Sequence, residues 1–541
     1  MLGSSPSTTA VGHFDLSRYS ILMLMGLAAP NELAWAARTT AIGDWRMAVT
    51  EEAATDQAGT VAFLTRQAGA APMQTHISWL FLGPDMVWKL KKAVRLPFLD
   101  FTSLEARHHF CDRELALNAP AAPGLYRDVV PIVCRGDGTL GFGGAGEIVD
   151  WVVRMARVPP DDFLDVRAAS SGLPPSLLDQ IADAVAAWHM SLPPVPGVRP
   201  DMEAITRGNV ASAIEAALPD PEVTAWRDAM LAWLTAHAAW RAARAAAGFV
   251  RRCHGDLHLG NLCLWRGRPV LFDALEFDEA LATIDVAYDL AFLLMDLEHR
   301  VDRPAANRVL NRYVARTGDA DLAGGLPGFL SMRAMVRAHV EARSGHADRV
   351  DTYLADAARF LSPPAPIMIA IGGLPGTGKT TVARAVAPRL GAAPGALVLR
   401  SDEIRKRQHD VEPERRLPPS AYTEEKSTAV FRELASLANL AARGGHAVIA
   451  DATFMDPAHR SMIETAARQA NVPFIGIWLT APRDVLEQRI GARTGDASDA
   501  TVDVLRSAAR NDPGPGAWRA IDATDATAAR DAVLALAKRN A

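Results

Sequence analysis

The run GLPGTGKTT, Gly373 to Thr381, constrains this chain more than any other stretch. It matches GxxxxGKT with Gly373, Gly378, Lys379 and Thr380 in register, after the apolar run IMIAIG and before the helical run VARAVAPRL. Strand, glycine-rich turn and helix in that order make a phosphate cradle: the glycines let backbone N–H groups close on phosphates, the lysine neutralises the outer ones, and the threonine hydroxyl can hold magnesium. Gly376 and Thr381 complete the expected nucleotide contacts. Downstream, ALVLRSD, HAVIAD and PFIGIWL alternate with helical stretches, as an α/β P-loop NTPase domain with a doubly wound parallel sheet requires. This loop begins only after two thirds of a 541-residue chain, which is long enough for several cores, so another folded unit precedes it.

The segment VRRCHGDLHLGNLCLWRGRPVLFDALEF, residues 250–277, shows what that unit does chemically. Two apolar strand-like runs, NLCLW and PVLFDAL, are joined by the turn RGR and preceded by the loop HGDLHLGN. Phosphoryl transfer needs an acceptor for the substrate hydroxyl proton, an amide oxygen for one metal ion and a carboxylate for the metals that bridge the phosphates. Asp256, Asn261 and Asp273 supply these in order. Here the chain resembles the aminoglycoside phosphotransferase and choline kinase-like superfamily, with its HGDxHxxN loop. The resemblance implies Asp256 as catalytic base, Asn261 and Asp273 as magnesium ligands, His254 as a loop-holding residue and Asp289 as a brace. Leu259 departs from a common proline. The resemblance also implies a lysine–glutamate pair in the first lobe. THISWLFL and MVWKLKKAV read as a hairpin around GPD, which nominates Lys89, with Lys91 as runner-up on the same strand face, and Glu114 as the helical partner. The strand EIVDWVVRMARVP is expected to lead to the hinge between lobes. Trp226, Met230, Trp233, His237 and Trp240 form one stripe of an expected long helix, read as core in preference to a substrate wall.

Around the phosphate loop, Asp402 and Arg405 follow the second strand, Asp451 ends the third with Arg460 nearby, and Arg489 and Arg493 lie four apart. This resembles the P-loop small-molecule and polynucleotide kinase group, with relatives among zeta-type toxins and gluconate kinases. By that resemblance Asp402 is a candidate general base, Arg405 and Arg460 are substrate or phosphate contacts, Asp451 is a metal or water contact beside Thr380, and Arg489 with Arg493 forms a lid. Both halves together resemble a bacterial family described as bifunctional aminoglycoside phosphotransferase and ATP-binding protein.

The expected fold is therefore an α+β protein-kinase-like two-lobed domain over 47–360, a proline-rich joint at 361–366, and the α/β P-loop domain over 367–541. Residues 1–46 are expected to be an unfolded leader or to lie upstream of the true start at Met47. ATP and Mg2+ are the expected cofactors, and hydroxyl-bearing small molecules the expected acceptors at two sites. From residue 365 onward 23 Lys and Arg face 20 Asp and Glu with signs interleaved, so no basic track for nucleic acid is expected. A polynucleotide-end kinase in the second domain and a nucleotide-sensing regulator remain the alternatives. Four cysteines in no metal-ligand spacing and the need for ATP suit a reducing cytoplasm, and no membrane span is expected.

Overall fold

The computed structural model describes residues 57–96, 99–492 and 497–540. The expected leader over 1–46 and the lid residue Arg493 lie outside the described residues. The described residues open with α1, Ala58–Ala68.

The first lobe is an antiparallel sheet of β1 (Met73–Gln74), β2 (Ser78–Leu82), β3 (Met86–Lys91), β4 (Tyr126–Cys134), β5 (Leu140–Phe142) and β6 (Glu147–Ala156) in the order β1-β2-β3-β6-β4-β5. Alternation along β3 decides which lysines face inward, because residues two apart share a face. Lys89 and Lys91 lie opposite Leu80 and Ser78, and both are buried. Helix α2, Leu104–Asn118, starts where the Ser103 hydroxyl accepts from the Ala106 N–H at 3.1 Å, an N-cap, and it brings Glu114 beneath the sheet.

The second lobe is helical. It contains α3 (Pro175–Ser191), α4 (Asp220–Ala236), α5 (Ala238–Ala246), α6 (Val286–Arg300), α7 (Arg303–Thr317), α8 (Leu326–Arg343) and α9 (Ala347–Phe360). Two small antiparallel ribbons cross it: β7 (Val250–Arg252) with β10 (Thr283–Asp285), and β8 (Leu262–Trp265) with β9 (Arg268–Leu271). Residues Val286 to Leu297 of α6 are buried on every face, and the two carboxylates among them, Asp289 and Asp296, accept from backbone amides. The long helix expected through the tryptophan stripe is instead two, broken at His237 (φ −101). The break lets Trp233 and Trp240 meet Phe329 from separate helices, at 5.8 and 5.9 Å between ring centroids. Trp226 and Met230 are buried, and Trp226 donates to Ser331, so the stripe is core.

After residues 361–367, which form no helix or strand, the P-loop half has the fully parallel sheet order β12-β13-β11-β14-β15: β11 Met368–Gly373, β12 Leu397–Arg400, β13 Val448–Asp451, β14 Phe474–Thr480 and β15 Arg519–Asp522. Its helices are α10 (Lys379–Val386), α11 (Ser401–Gln408), α12 (Glu424–Arg443), α13 (Pro457–Ala470), α14 (Arg483–Gly491), α15 (Val502–Arg510) and α16 (Ala526–Asn540). Every residue of β11 is buried, so the strand reads as a continuous apolar run. Its alternate residues serve two cores. Ile369 and Ile371 pack with Val382, Val386 and Val533, while Met368 and Ala370 join a core continuous with the helical lobe of the kinase-like half.

The two halves are thus packed together without an intervening gap at this face. At one contact, a Cβ on Gly444 would lie 3.0 Å from the Gly324 Cα, so backbone meets backbone and any side chain there would press the two segments apart. No helix among the described residues is long and apolar enough to cross a membrane.

Candidate active sites

In the first site, the hairpin β8–β9 turns through Arg266 and Gly267, both with positive φ (53 and 77), a tight two-residue link that sets the loop before β8 against the chain after β9. That places Asp256, Asn261 and Asp273 together. His254 Nε2 donates to the Phe272 carbonyl at 2.9 Å, and burial lowers its pKa, so the neutral ring staples the loop to the chain just before Asp273. Asp289 is fully buried and accepts from the His254 and Gly255 amides at 3.1 and 2.9 Å. Asp296 does the same for the Leu259 amide at 3.0 Å, which fixes the loop where proline is missing.

Asn261 Nδ2 donates to the Asp256 carbonyl and to its Oδ2, at 2.8 and 3.0 Å. Two buried oxygens, Asp256 Oδ1 and Asn261 Oδ1, find no hydrogen-bond partner among the described residues. Buried polar atoms are almost always paired, so these two point to ligands that the protein itself does not supply. The Asn261 amide oxygen is a hard donor of the kind magnesium takes and the Asp273 carboxylate is a second, so these two residues fit the metal, while the Asp256 oxygen is left for the acceptor hydroxyl. Burial alone would raise the Asp256 carboxyl, but His258, His254 and Arg333 outweigh it and hold the pKa below the ordinary value. The group is therefore ionised and able to take a proton. Asp273 itself sits at φ +60, a left-handed backbone state that aspartate adopts more readily than most non-glycine residues.

Both lysines of β3 reach Glu114. Lys89 Nζ lies 2.7 Å from Glu114 Oε1 and 2.6 Å from Asp273, whereas Lys91 Nζ lies 2.8 Å from Glu114 Oε2 and 2.5 Å from Glu276. Lys89 is thus the lysine adjoining Asp273, and Lys91 is a fully buried structural charge. Glu276, three residues beyond Asp273, was not singled out from the sequence, although DALE carried it.

In the second site, the glycine turn closes over a cavity of ≈ 1090 Å3. Gly373, Gly376 and Gly378 have φ of 138, 86 and 83, and a Cβ on Gly373 would lie 2.5 Å from the Leu479 carbonyl oxygen. Gly376, Gly378, Lys379, Thr380 and Thr381 line the cavity with Asp402, Arg405, Asp451 and Arg489, while Gly373 closes the turn behind them. Thr380 Oγ1 donates to Asp451 Oδ2 at 2.6 Å, a hydroxyl and carboxylate pair that suits magnesium. Lys379 Nζ donates to the Gly373 and Leu374 carbonyls, both at 2.9 Å. Arg405 is held by the Ala421 carbonyl at 2.8 Å and lies over the Tyr422 ring at 4.7 Å. Arg489 is anchored by the Ala523 and Thr524 carbonyls at 3.0 and 2.8 Å beside Gly378.

Arg460 corrects its expected role. It donates to the Phe454, Pro515 and Gly514 carbonyls at 2.8, 2.9 and 2.7 Å and lies over Trp478 at 4.3 Å. A guanidinium spent on three carbonyls and an aromatic face is a peg between β14 and the 514–518 loop, not a phosphate contact. A residue outside the expected set, Asp499, accepts from Lys406 at 2.8 Å, the Leu417 amide at 2.9 Å and the Tyr422 hydroxyl at 2.5 Å, closing one wall of the cavity. Nothing in GDASDA marks this aspartate over its neighbour.

Two family models match this chain, one in each half. The Phosphotransferase enzyme family model matches residues 146–324 and an AAA domain model matches residues 368–511. The uncharacterized protein Rv2004c of Mycobacterium tuberculosis (strain ATCC 25618 / H37Rv) is 30% identical over 472 residues, covering 81% of this chain and 89% of that protein. The adenylyl-sulfate kinase of Myxococcus xanthus is 33% identical over 117 residues, covering 22% of this chain and 59% of that enzyme. Among solved structures, the GDP and kanamycin complex of APH(2")-IIia shares 15% identity over 56% of this chain and 98% of its own, with a TM-score of 0.35. A sugar kinase from Janibacter shares 20% identity over 32% of this chain and 95% of its own, with a TM-score of 0.26.

Proposed function

Since the chain belongs to the family that fuses an aminoglycoside phosphotransferase-like domain to a P-loop ATP-binding domain, the architecture it shares with its mycobacterial relative, we propose two ATP- and Mg2+-dependent phosphotransfer sites that act on hydroxyl groups of small molecules. The division proposed is a kinase-like domain over 47–360, a joint at 361–366 and a P-loop domain over 367–541. A cytoplasmic location with its ATP supply completes the reading.

The observation that carries it is the pair of uncommitted buried oxygens on Asp256 and Asn261. A module that only sensed nucleotide would have no use for an ionised, proton-accepting Oδ1. In the first site Asp256 takes the acceptor hydroxyl proton while the oxygen bonds to the γ-phosphorus and the bridging P–O bond breaks to release ADP. Lys89, positioned by Glu114, orients the nucleotide phosphates, and the stapled loop fixes the base so that little reorganisation remains. In the second site Asp402 takes the proton, Lys379 with Gly376, Gly378 and Thr381 holds the phosphates, and Arg405 and Arg489 border the cavity where acceptor and phosphates meet. Arg493 is proposed as the second lid arginine. Magnesium, when held by Asn261 and Asp273 in one site and by Thr380 and Asp451 in the other, would offset the charge of the transferring phosphates.

Titration calorimetry with a non-hydrolysable ATP analogue and magnesium is expected to give two nucleotides per wild-type chain and one per Lys379→Ala chain. A single nucleotide on the wild-type protein would remove one of the two sites.

A further inference from the structure

We propose that helix α7 ties the two sites to each other, with His189 and Tyr313 as positioning residues that link the catalytic loop of the first site to the docked P-loop half; this rests on the two-site reading above. One face of α7 holds the edge of the P-loop sheet. β12 is the outer strand on that side and would otherwise expose unpaired backbone groups. Asn311 Oδ1 accepts from the Val398 N–H at 2.6 Å, and the side-chain amides of Asn307 and Asn311 donate to the Ala396 carbonyl at 3.0 and 3.2 Å. Arg312 reaches Glu414 at 2.7 Å, and Arg407 of α11 donates to the Ala315 carbonyl at 3.1 Å. Side chains of α7 thus replace the missing neighbour strand, and Arg407 returns the contact near the end of the helix.

The opposite face of α7 reaches the other site. The Tyr313 hydroxyl lies 2.9 Å from His189 Nδ1, and His189 Nε2 lies 3.1 Å from Asp289 Oδ2. The tautomer with hydrogen on Nε2 satisfies both: Tyr313 donates to Nδ1 and Nε2–H donates to the carboxylate. Asp289 then accepts from the His254 and Gly255 amides that begin the catalytic loop. All three side chains are buried, so no water competes for these bonds. A second tie runs in parallel. Arg244 bridges Asp319, just past the end of α7, and Asp285, the N-cap of α6 on which Asp289 rides, with bonds of 2.7 to 2.9 Å.

What could differ between nucleotide-bound and nucleotide-free states lies at the end of β12. Arg400 closes that strand with its Nε 3.4 Å from Asp451 Oδ2, the same oxygen that accepts from Thr380. A metal held by Thr380 and Asp451 would draw on the same carboxylate oxygen that faces Arg400, and the strand that carries Arg400 is the one clamped by Asn311. Two sites that bias one shared element are coupled reciprocally, typically by five- to 150-fold.

The test is amide hydrogen exchange over 254–261 in the full chain during titration with Mg-ADP, for wild type, Lys379→Ala and Tyr313→Phe. Lys379→Ala isolates the effect of nucleotide bound in the first site. The expected result is a component of at least about fivefold change in exchange that is present in wild type, absent in Lys379→Ala and below twofold in Tyr313→Phe. A tyrosine that merely stabilised the fold would shift exchange equally with and without nucleotide. The proposal is overturned if the component survives undiminished in Tyr313→Phe, or if wild type and Lys379→Ala behave alike while calorimetry shows two bound nucleotides. Asn311→Ala cuts the same link from the other side and carries the test should the tyrosine variant not fold. Failure to bind Mg-ADP at the phosphate loop would remove the two-site reading itself, an outcome calorimetry separates from loss of coupling.

Discussion

Replacing Asp256 with asparagine is expected to lower turnover at the first site by about 10²- to 10⁴-fold, the usual contribution of a positioned general base. The substitution keeps the shape of the side chain, and an amide oxygen can still accept from Asn261 Nδ2, now 3.0 Å from Oδ2. What disappears is the proton-accepting capacity of Oδ1, which no other group among the described residues engages. The KM for ATP should therefore stay within a few-fold while kcat falls, because the loss is of an interaction made in the transition state. A loss confined to KM would show that Asp256 binds and does not take the proton. The measurement is steady-state kinetics on whichever phosphorylated product the wild-type protein forms.

The second large effect separates the two lysines of β3. Lys91→Ala is expected to destabilise the fold by about 3–5 kcal/mol, the cost of breaking a buried ion pair by removing one partner. Its side chain is 0% exposed, and it serves both Glu114 and Glu276, whose side chains are 0% and 5% exposed. Burial would raise the Glu114 carboxyl, yet the two ammonium groups outweigh it and hold its pKa at about 2. Lys89→Ala leaves Glu114 paired with Lys91 and exposes only the Asp273 side, so its stability cost should be smaller and its main effect should fall on nucleotide affinity. Urea denaturation read beside nucleotide titration decides the matter. Equal stability losses for both variants would contradict this division of labour.

Much of this was legible in the sequence because the chemistry sits in short local stretches. The glycine turn needs its glycines wherever it occurs, and HGDLHLGN with its following hairpin brings its groups together over few residues. Lys89 and Lys91 could be placed on one strand face by alternation, but the choice between them could not be made. It depends on Glu276 and Asp273, which approach from the other lobe. The helix through Trp226 to Trp240 read as continuous because periodicity does not register a break that tertiary packing rewards. Strand β15, RAID, was invisible as a strand: four residues with two charges at an edge carry little pattern. Arg460 was misread because a cation near a phosphate loop looks the same whether it meets phosphate or carbonyls. The docking of α7 on β12 left no trace, since asparagine side chains bonded to a distant backbone follow no spacing rule.

The most direct test of the central claim is transfer of label from γ-labelled ATP to a cell metabolite extract by the wild-type protein, Asp256→Asn and Lys379→Ala. Two labelled products, one lost in each variant, are the predicted result. A product set unchanged in both variants, or no product from a wild-type protein that binds two nucleotides, would contradict it.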